Sequence, residues 1–190
     1  MARTRSRRRR RVRDTSDRII NIIELSITMK ITFIQTGGTI DKDYRKTTKG
    51  YAFEIAEPAV KRILEKLNPT FEYEIISALK KDSLDISEDD RKRILKICKD
   101  TNSKRIIITH GTDTMLETAK VLSEIKDKTI IITGAMRPER FSNSDAPITV
   151  GIAIGVVNIL ESGIYIAMNG KILSWDKCKR DMKTGQFIEN

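Results

Sequence analysis

From Met29 onward, short runs of β-branched residues alternate with stretches in which apolar positions recur every three or four residues, the pattern of consecutive βαβ units. Ile31 to Gln35, Glu72 to Ser77, Arg105 to Thr109, Thr129 to Thr133 and Ile164 to Met168 are the predicted strands. The alternation predicts an α/β fold: a doubly wound, mainly parallel sheet of about five or more strands with helices on both faces. Val60, Ile63, Leu64 and Leu67 fall at helical spacing after Pro58, and Asn68-Pro69 ends that helix. Ser87 with Asp90 forms a capping pair ahead of Ile94, Leu95 and Cys98, while Met115, Ala119 and Leu122 mark another helix. Pro147 to Leu160 is apolar on nearly every side and contains Gly151 and Gly155, which predicts a buried helix closely approached by a neighbour. The run is too short for a membrane span.

Length and charge refine this picture. The chain has 190 residues, 39% of them hydrophobic, enough for one substantial core. Its formal charge is +10, but nine Arg against three acidic residues put +6 before Met29 and leave +4 for the rest. Residues 1–28, with an Arg run from Arg7 to Arg11, read as a disordered extension, and 29–190 as the α/β domain. The extension is a dispensable tail, an untranslated stretch upstream of Met29, or a transit peptide. Without interleaved aromatics or a recognition helix, nucleic-acid binding is the weaker reading. Cys98 and Cys178 are too few and too far apart for a disulfide framework or a zinc site, so a cytoplasmic location is expected, with Cys98 a buried apolar thiol.

In open parallel sheets ligands bind beyond the carboxyl ends of the strands, and the polar loops of this chain gather there. Thr36-Gly37-Gly38-Thr39 follows the first strand and Asp82-Ser83 the second. His110-Gly111-Thr112-Asp113-Thr114 follows the third, and Gly134 to Asp145 the fourth. The two glycines permit a sharp turn with Thr39 projecting from it. No Lys follows them as in a phosphate loop. Taken alone, each segment is also consistent with a tight turn or a helix cap.

TGGTI at Thr36 to Ile40, THGTDTM at Thr109 to Met115 and GAMRP at Gly134 to Pro138, followed by Ser144-Asp145-Ala146-Pro147, resemble in order and spacing the characteristic segments of bacterial-type L-asparaginases. The resemblance covers Met29 to Phe187 and implies an asparaginase amino-terminal domain. It implies a threonine nucleophile, Thr39, that attacks the side-chain amide of asparagine and expels ammonia. Its implied helpers are Tyr51 (Tyr44 fits the flanking sequence less well), Thr112, Asp113 and a Lys. Ungapped alignment puts Arg180 at that Lys position, and a one-residue shift would bring in Lys179 instead. The distinction matters, because an Arg stays charged and takes no proton from a hydroxyl. Asp113 is implied to hold the substrate ammonium and Ser83 its α-carboxylate, with Gly38 and Gly111 lining the pocket. His110 has no part in that chemistry and reads as structural. No cofactor or metal is implied, and the expected partners are a small-molecule amide and further copies of the chain, with no membrane.

Asparaginases continue into a second, smaller domain, whereas 22 residues follow Met168 here. Three functions therefore stay open: a compact amidohydrolase acting on Asn or a related amide, a binding domain of little or no activity, and an ammonia-producing component of an amidotransferase. Asparagine and glutamine differ by one methylene, which sequence does not separate.

Overall fold

The computed structural model describes residues 30–47 and 50–190, so the Arg-rich extension over 1–28 lies outside the described residues. In chain order the strands are β1 (Lys30–Gly37), β2 (Lys42–Thr47), β3 (Gly50–Ile55), β4 (Glu72–Lys81), β5 (Arg105–Thr109), β6 (Thr129–Thr133), β7 (Gly163–Met168), β8 (Lys171–Ser174), β9 (Cys178–Arg180) and β10 (Phe187–Glu189). The helices are α1 (Ala59–Leu67), α2 (Glu88–Asp100), α3 (Met115–Leu122) and α4 (Ala146–Val156). The main sheet has the order β4-β1-β5-β6-β7-β8, parallel throughout except for β8 at one edge.

Strand periodicity divides the core into two layers. Ile106, Ile108, Ile130 and Ile132 face α2 and α3, where Ile94, Cys98, Met115 and Leu122 meet them. Phe33, Ile107 and Ile131 face the opposite way, onto Val60 and Leu64 of α1 and Val150 and Ala153 of α4. The strands after β1 fall on either side of it, β4 to one and β5 to the other. That reversal marks the carboxyl end of β1 as the place where ligands bind in sheets of this kind.

All five predicted strands form, and Ser87 and Asp90 make the reciprocal capping box at the start of α2. The structure adds three hairpins. β7 and β8 are joined by Asn169-Gly170 at φ 52° and 75°, the turn that matches strand twist. The β2–β3 and β9–β10 pairs are antiparallel and lie outside the main sheet. The predicted enclosure of α4 is corrected. Val150 and Ala153 pack on the sheet, but Ile148 is 66% exposed and a Cβ at Gly151 or Gly155 would meet open space. A helix lying on a sheet has one face covered by it, and among the described residues no further layer lies over the other. None of the described helices is long and apolar enough to cross a membrane.

Three buried polar side chains fix the loops. Lys128, 6% exposed, donates from Nζ to the carbonyls of Cys98 at 2.7 Å, Lys99 at 3.2 Å and Thr101 at 2.5 Å, serving carbonyls at the end of α2 that have no helical partner. Asp41 accepts at Oδ1 from the Ala59 amide at 2.7 Å, placing a carboxylate at the amino end of α1. Its Oδ2 is buried and meets no hydrogen-bonding geometry among the described residues, and burial raises the pKa of the carboxyl to about 7. His110 is fully buried. Its Nδ1 lies 2.7 Å from the Gly111 carbonyl, which only accepts, so Nδ1 carries the proton and Nε2 accepts from Thr118 Oγ1 at 2.8 Å. Burial lowers its pKa to about 4, and the ring is neutral near pH 7.

Lys128→Met, which keeps the aliphatic stem and removes the ammonium, is expected to lower stability by about 2 to 3 kcal/mol in urea unfolding, since it strands buried carbonyls. The two titrating groups give opposite pH slopes. Between about pH 4 and 6.5 the unfolded chain binds more protons at His110 than the folded one, so this contribution falls as the solution is acidified. Between about pH 4 and 7 the folded chain binds more protons at Asp41, so its contribution falls as pH rises. Asp41→Asn should therefore make stability decline more steeply than in the parent from pH 6.5 to 4.5, read from urea midpoints at each pH.

Candidate active site

The loop after β1 is a single 3-10 turn, Thr39–Asp41, entered through Gly37 and Gly38 at φ 112° and 81°. The turn is fastened on every side. The Gly38 amide donates to the Lys81 carbonyl of β4 at 3.0 Å, the Glu139 amide donates to the Ile40 carbonyl at 3.1 Å, and the Ala56 amide donates to the Asp41 carbonyl at 2.9 Å. Glu139 is itself buried and held by Arg62 Nε at 2.5 Å and Lys66 Nζ at 3.2 Å. Thr39 stands half-buried on this turn, and none of the described groups hydrogen-bonds its hydroxyl.

Two glycines let three loops touch. A Cβ on Gly38 would lie 2.4 Å from the Gly111 Cα, and one on Gly111 would lie 2.7 Å from Ser83 Oγ. Any side chain at either position would drive the loops after β1, β5 and β4 apart. Across the second contact the Ser83 carbonyl accepts from Thr114 Oγ1 at 2.7 Å, and Ser83 Oγ accepts from the Asp113 amide at 3.3 Å while lying 3.4 Å from Asp113 Oδ2. Thr39, Ser83, Gly111, Thr112 and Asp113 thus stand on loops in direct contact around the crevice. The fourth loop is shaped by Asp145, whose carboxylate accepts from the amides of Met136 at 2.9 Å and Arg137 at 3.0 Å.

Tyr51 and Lys179 are not brought into this cluster. Tyr51 pairs with Lys46 near the far end of the β2–β3 hairpin and is 76% exposed. With ~3.3 Å per residue, the four steps from Lys42 to Lys46 put it roughly 13 Å out from the base of the hairpin. Tyr44 is also exposed and stacks on Phe53, with ring centroids 4.9 Å apart. Lys179 is exposed, and strand alternation turns its neighbour Arg180 to the other face of β9. Arg180 Nη1 pairs with Asp113 Oδ1 at 2.5 Å. Of the two basic residues, it is Arg180 that touches a predicted site residue.

Asp41 and Asp145 were not singled out by sequence reasoning. An Asp two residues after Thr39, facing a helix start across a hairpin, gives no periodic signal. Asp145 belongs to the Ser-Asp-Ala-Pro string, but its hold on the loop before it is a three-dimensional contact across eight and nine residues.

Residues 30–185 match the family model described as "Asparaginase, N-terminal". The chain is 27% identical over 76% of its length to a "Glutaminase-asparaginase" of Acinetobacter glutaminasificans, and 30% identical over 75% to a "Probable L-asparaginase periplasmic" of Haemophilus influenzae. The alignments take in 47% and 44% of those proteins, so the chain spans less than half the length of either. Its fold superposes on the thermostable L-asparaginase from Thermococcus kodakarensis with a TM-score of 0.71 and 28% identity, covering 85% of this chain and 51% of that one. With its three glycine-tethered loops at the carboxyl edge and this match along most of its length, the chain belongs to the asparaginase family and carries that family's amino-terminal domain.

Proposed function

We propose that the chain is an asparaginase-like amidohydrolase that releases ammonia from the side-chain amide of asparagine or a related small amide, with Thr39 as nucleophile. The observation that carries this reading is the contact of Gly38 with Gly111 and of Gly111 with Ser83, which gathers one reactive hydroxyl, backbone donors and a carboxylate-bearing loop around a single crevice. In the first half of the cycle Thr39 Oγ adds to the carboxamide carbon, its proton passes to the nitrogen, and ammonia leaves an ester on Thr39. Water then adds to that ester, the bond to Oγ breaks, and the carboxylic acid departs with the hydroxyl restored. Backbone amides of the loops after β1 and β5 would stabilise the oxyanion in both halves.

Proton transfer from Thr39 needs an acceptor, and among the described residues no side chain hydrogen-bonds its hydroxyl. His110 uses both ring nitrogens in buried hydrogen bonds, and Arg180 carries no accessible neutral form. Tyr51 fills this role in our reading, reaching Thr39 when the β2–β3 hairpin folds over the crevice. The resting position of Tyr51 favours a second reading, a binding domain that uses the same pocket with little turnover.

Ammonia release from asparagine, glutamine and small related amides, measured for the chain and for Thr39→Ala, separates the two. Turnover that falls about a thousandfold in the variant supports the hydrolase, and no turnover from folded parent protein transfers the assignment to the binding domain. In an active enzyme Tyr51→Phe is expected to lower kcat by about a hundredfold while leaving KM within a few-fold, because the phenol is engaged only in the reacting state.

A further inference from the structure

The carboxylate that would receive a substrate ammonium already carries a cationic partner. Asp113 Oδ1 is paired with Arg180 Nη1 at 2.5 Å, and Oδ2 faces Ser83 Oγ at 3.4 Å. The guanidinium is held in place by its own hairpin. Arg180 Nε donates to the Gly185 carbonyl at 3.3 Å, and that carbonyl is fixed by the turn between β9 and β10, where the Gly185 amide donates to the Asp181 carbonyl at 2.7 Å. The Asp181 carboxylate closes the same turn by accepting from the Lys183 amide at 2.9 Å and Thr184 Oγ1 at 2.8 Å. Arg180 is therefore set beside Asp113 before any ligand arrives, with its side chain 20% exposed and that of Asp113 45% exposed.

This geometry has a consequence for charge selection. An ammonium approaching Asp113 meets a permanent positive charge at hydrogen-bonding distance from the same carboxylate, and no accessible pH removes that charge. An arginine has five N–H donors, and Arg180 commits two of them, to Asp113 and Gly185. The remaining fork is free among the described residues and suits a carboxylate, which it can take in paired hydrogen bonds.

We infer that Arg180 is a specificity-determining residue that makes the pocket select small carboxylate-bearing amides without a free α-ammonium, of the succinamate type, over asparagine. The inference rests on the reading of this crevice as the amide-binding site. A pocket of this kind suits a reaction sequence in which the amino group of the substrate has been removed or acylated beforehand.

The test uses the full chain and two ligand pairs that differ only by the ammonium: succinate against aspartate by calorimetric titration, and succinamate against asparagine by ammonia release. Succinate is expected to bind at least about tenfold more tightly than aspartate. Arg180→Gln should reverse that order by freeing Asp113 for an ammonium, whereas Asp113→Asn should widen the preference for succinate. Circular dichroism and unfolding midpoints establish that each variant is folded, and the Asp113→Asn arm stands if Arg180→Gln is not. Aspartate binding as well as succinate in the parent, an unchanged ratio in folded Arg180→Gln, or binding of neither ligand overturns the inference. The two readings fail separately. Ammonia released from asparagine with no preference for succinate keeps the hydrolase and removes the specificity role, while a preference for succinate without ammonia from either amide does the reverse.

Discussion

The arrangement of this domain depends on a backbone contact, the approach of Gly38 to Gly111 and of Gly111 to Ser83, closer than any Cβ permits. Parallel strands lie about 4.8 Å apart, and their loops ordinarily splay as they leave the sheet. Here three loops converge, because two residues without side chains stand where they meet. Everything on the crevice floor inherits its position from that contact. Thr39 follows Gly38 directly, Thr112 and Asp113 follow Gly111, and Ser83 is the surface against which Gly111 rests. The rigid anchors behind the loops, His110 against Thr118 and Asp41 against the start of α1, hold the same contact from below.

The scaffold was legible in the sequence because its determinants are periodic. Runs such as Arg105-Ile-Ile-Ile-Thr109 and Thr129-Ile-Ile-Ile-Thr133 admit few readings other than a central strand, and Ser87 with Asp90 is a capping box spelled out in order. The β7–β8 and β9–β10 hairpins were missed because β8, β9 and β10 are three or four residues long and carry no sustained alternation. Asn169-Gly170 is a turn signal in its own right, but the four residues after it are too few to show a strand period. The enclosure expected for α4 illustrates another limit. Apolar residues all round a helix show that it avoids water, and do not show what lies against each face.

At the site, residue types were readable and pairings were not. Gly38, Ser83, Gly111, Thr112 and Asp113 stand on the touching loops, in short polar strings that directly follow β1, β4 and β5. Tyr51 and the basic residue after β8 depend on where hairpins point, which short segments do not encode. The choice between Lys179 and Arg180 turned on the parity of a three-residue strand, since a shift of one position exchanges the face toward Asp113 for the face toward solvent. The substitution has chemical weight as well as geometric weight. A lysine at Asp113 would be an acid able to lose its proton, whereas Arg180 is a fixed charge.

The strand order also governs how the domain comes together in time. β1 is the first described strand to leave the ribosome, yet it does not pair with its immediate successor, β2. Ile31 faces Tyr73 of β4 on one side and Arg105 of β5 on the other, so its partners follow 42 and 74 residues later. Closing loops of that length costs entropy before any pairing rewards it, and such topologies fold more slowly than those built from near neighbours. The β7–β8 and β9–β10 hairpins, by contrast, need only adjacent residues. The turn bearing Thr39 is thus synthesised early and assembled late, and until β5 has emerged its flanking strand presents an Ile- and Phe-containing edge with no partner on that side, a window in which a nascent chain is vulnerable to misassociation.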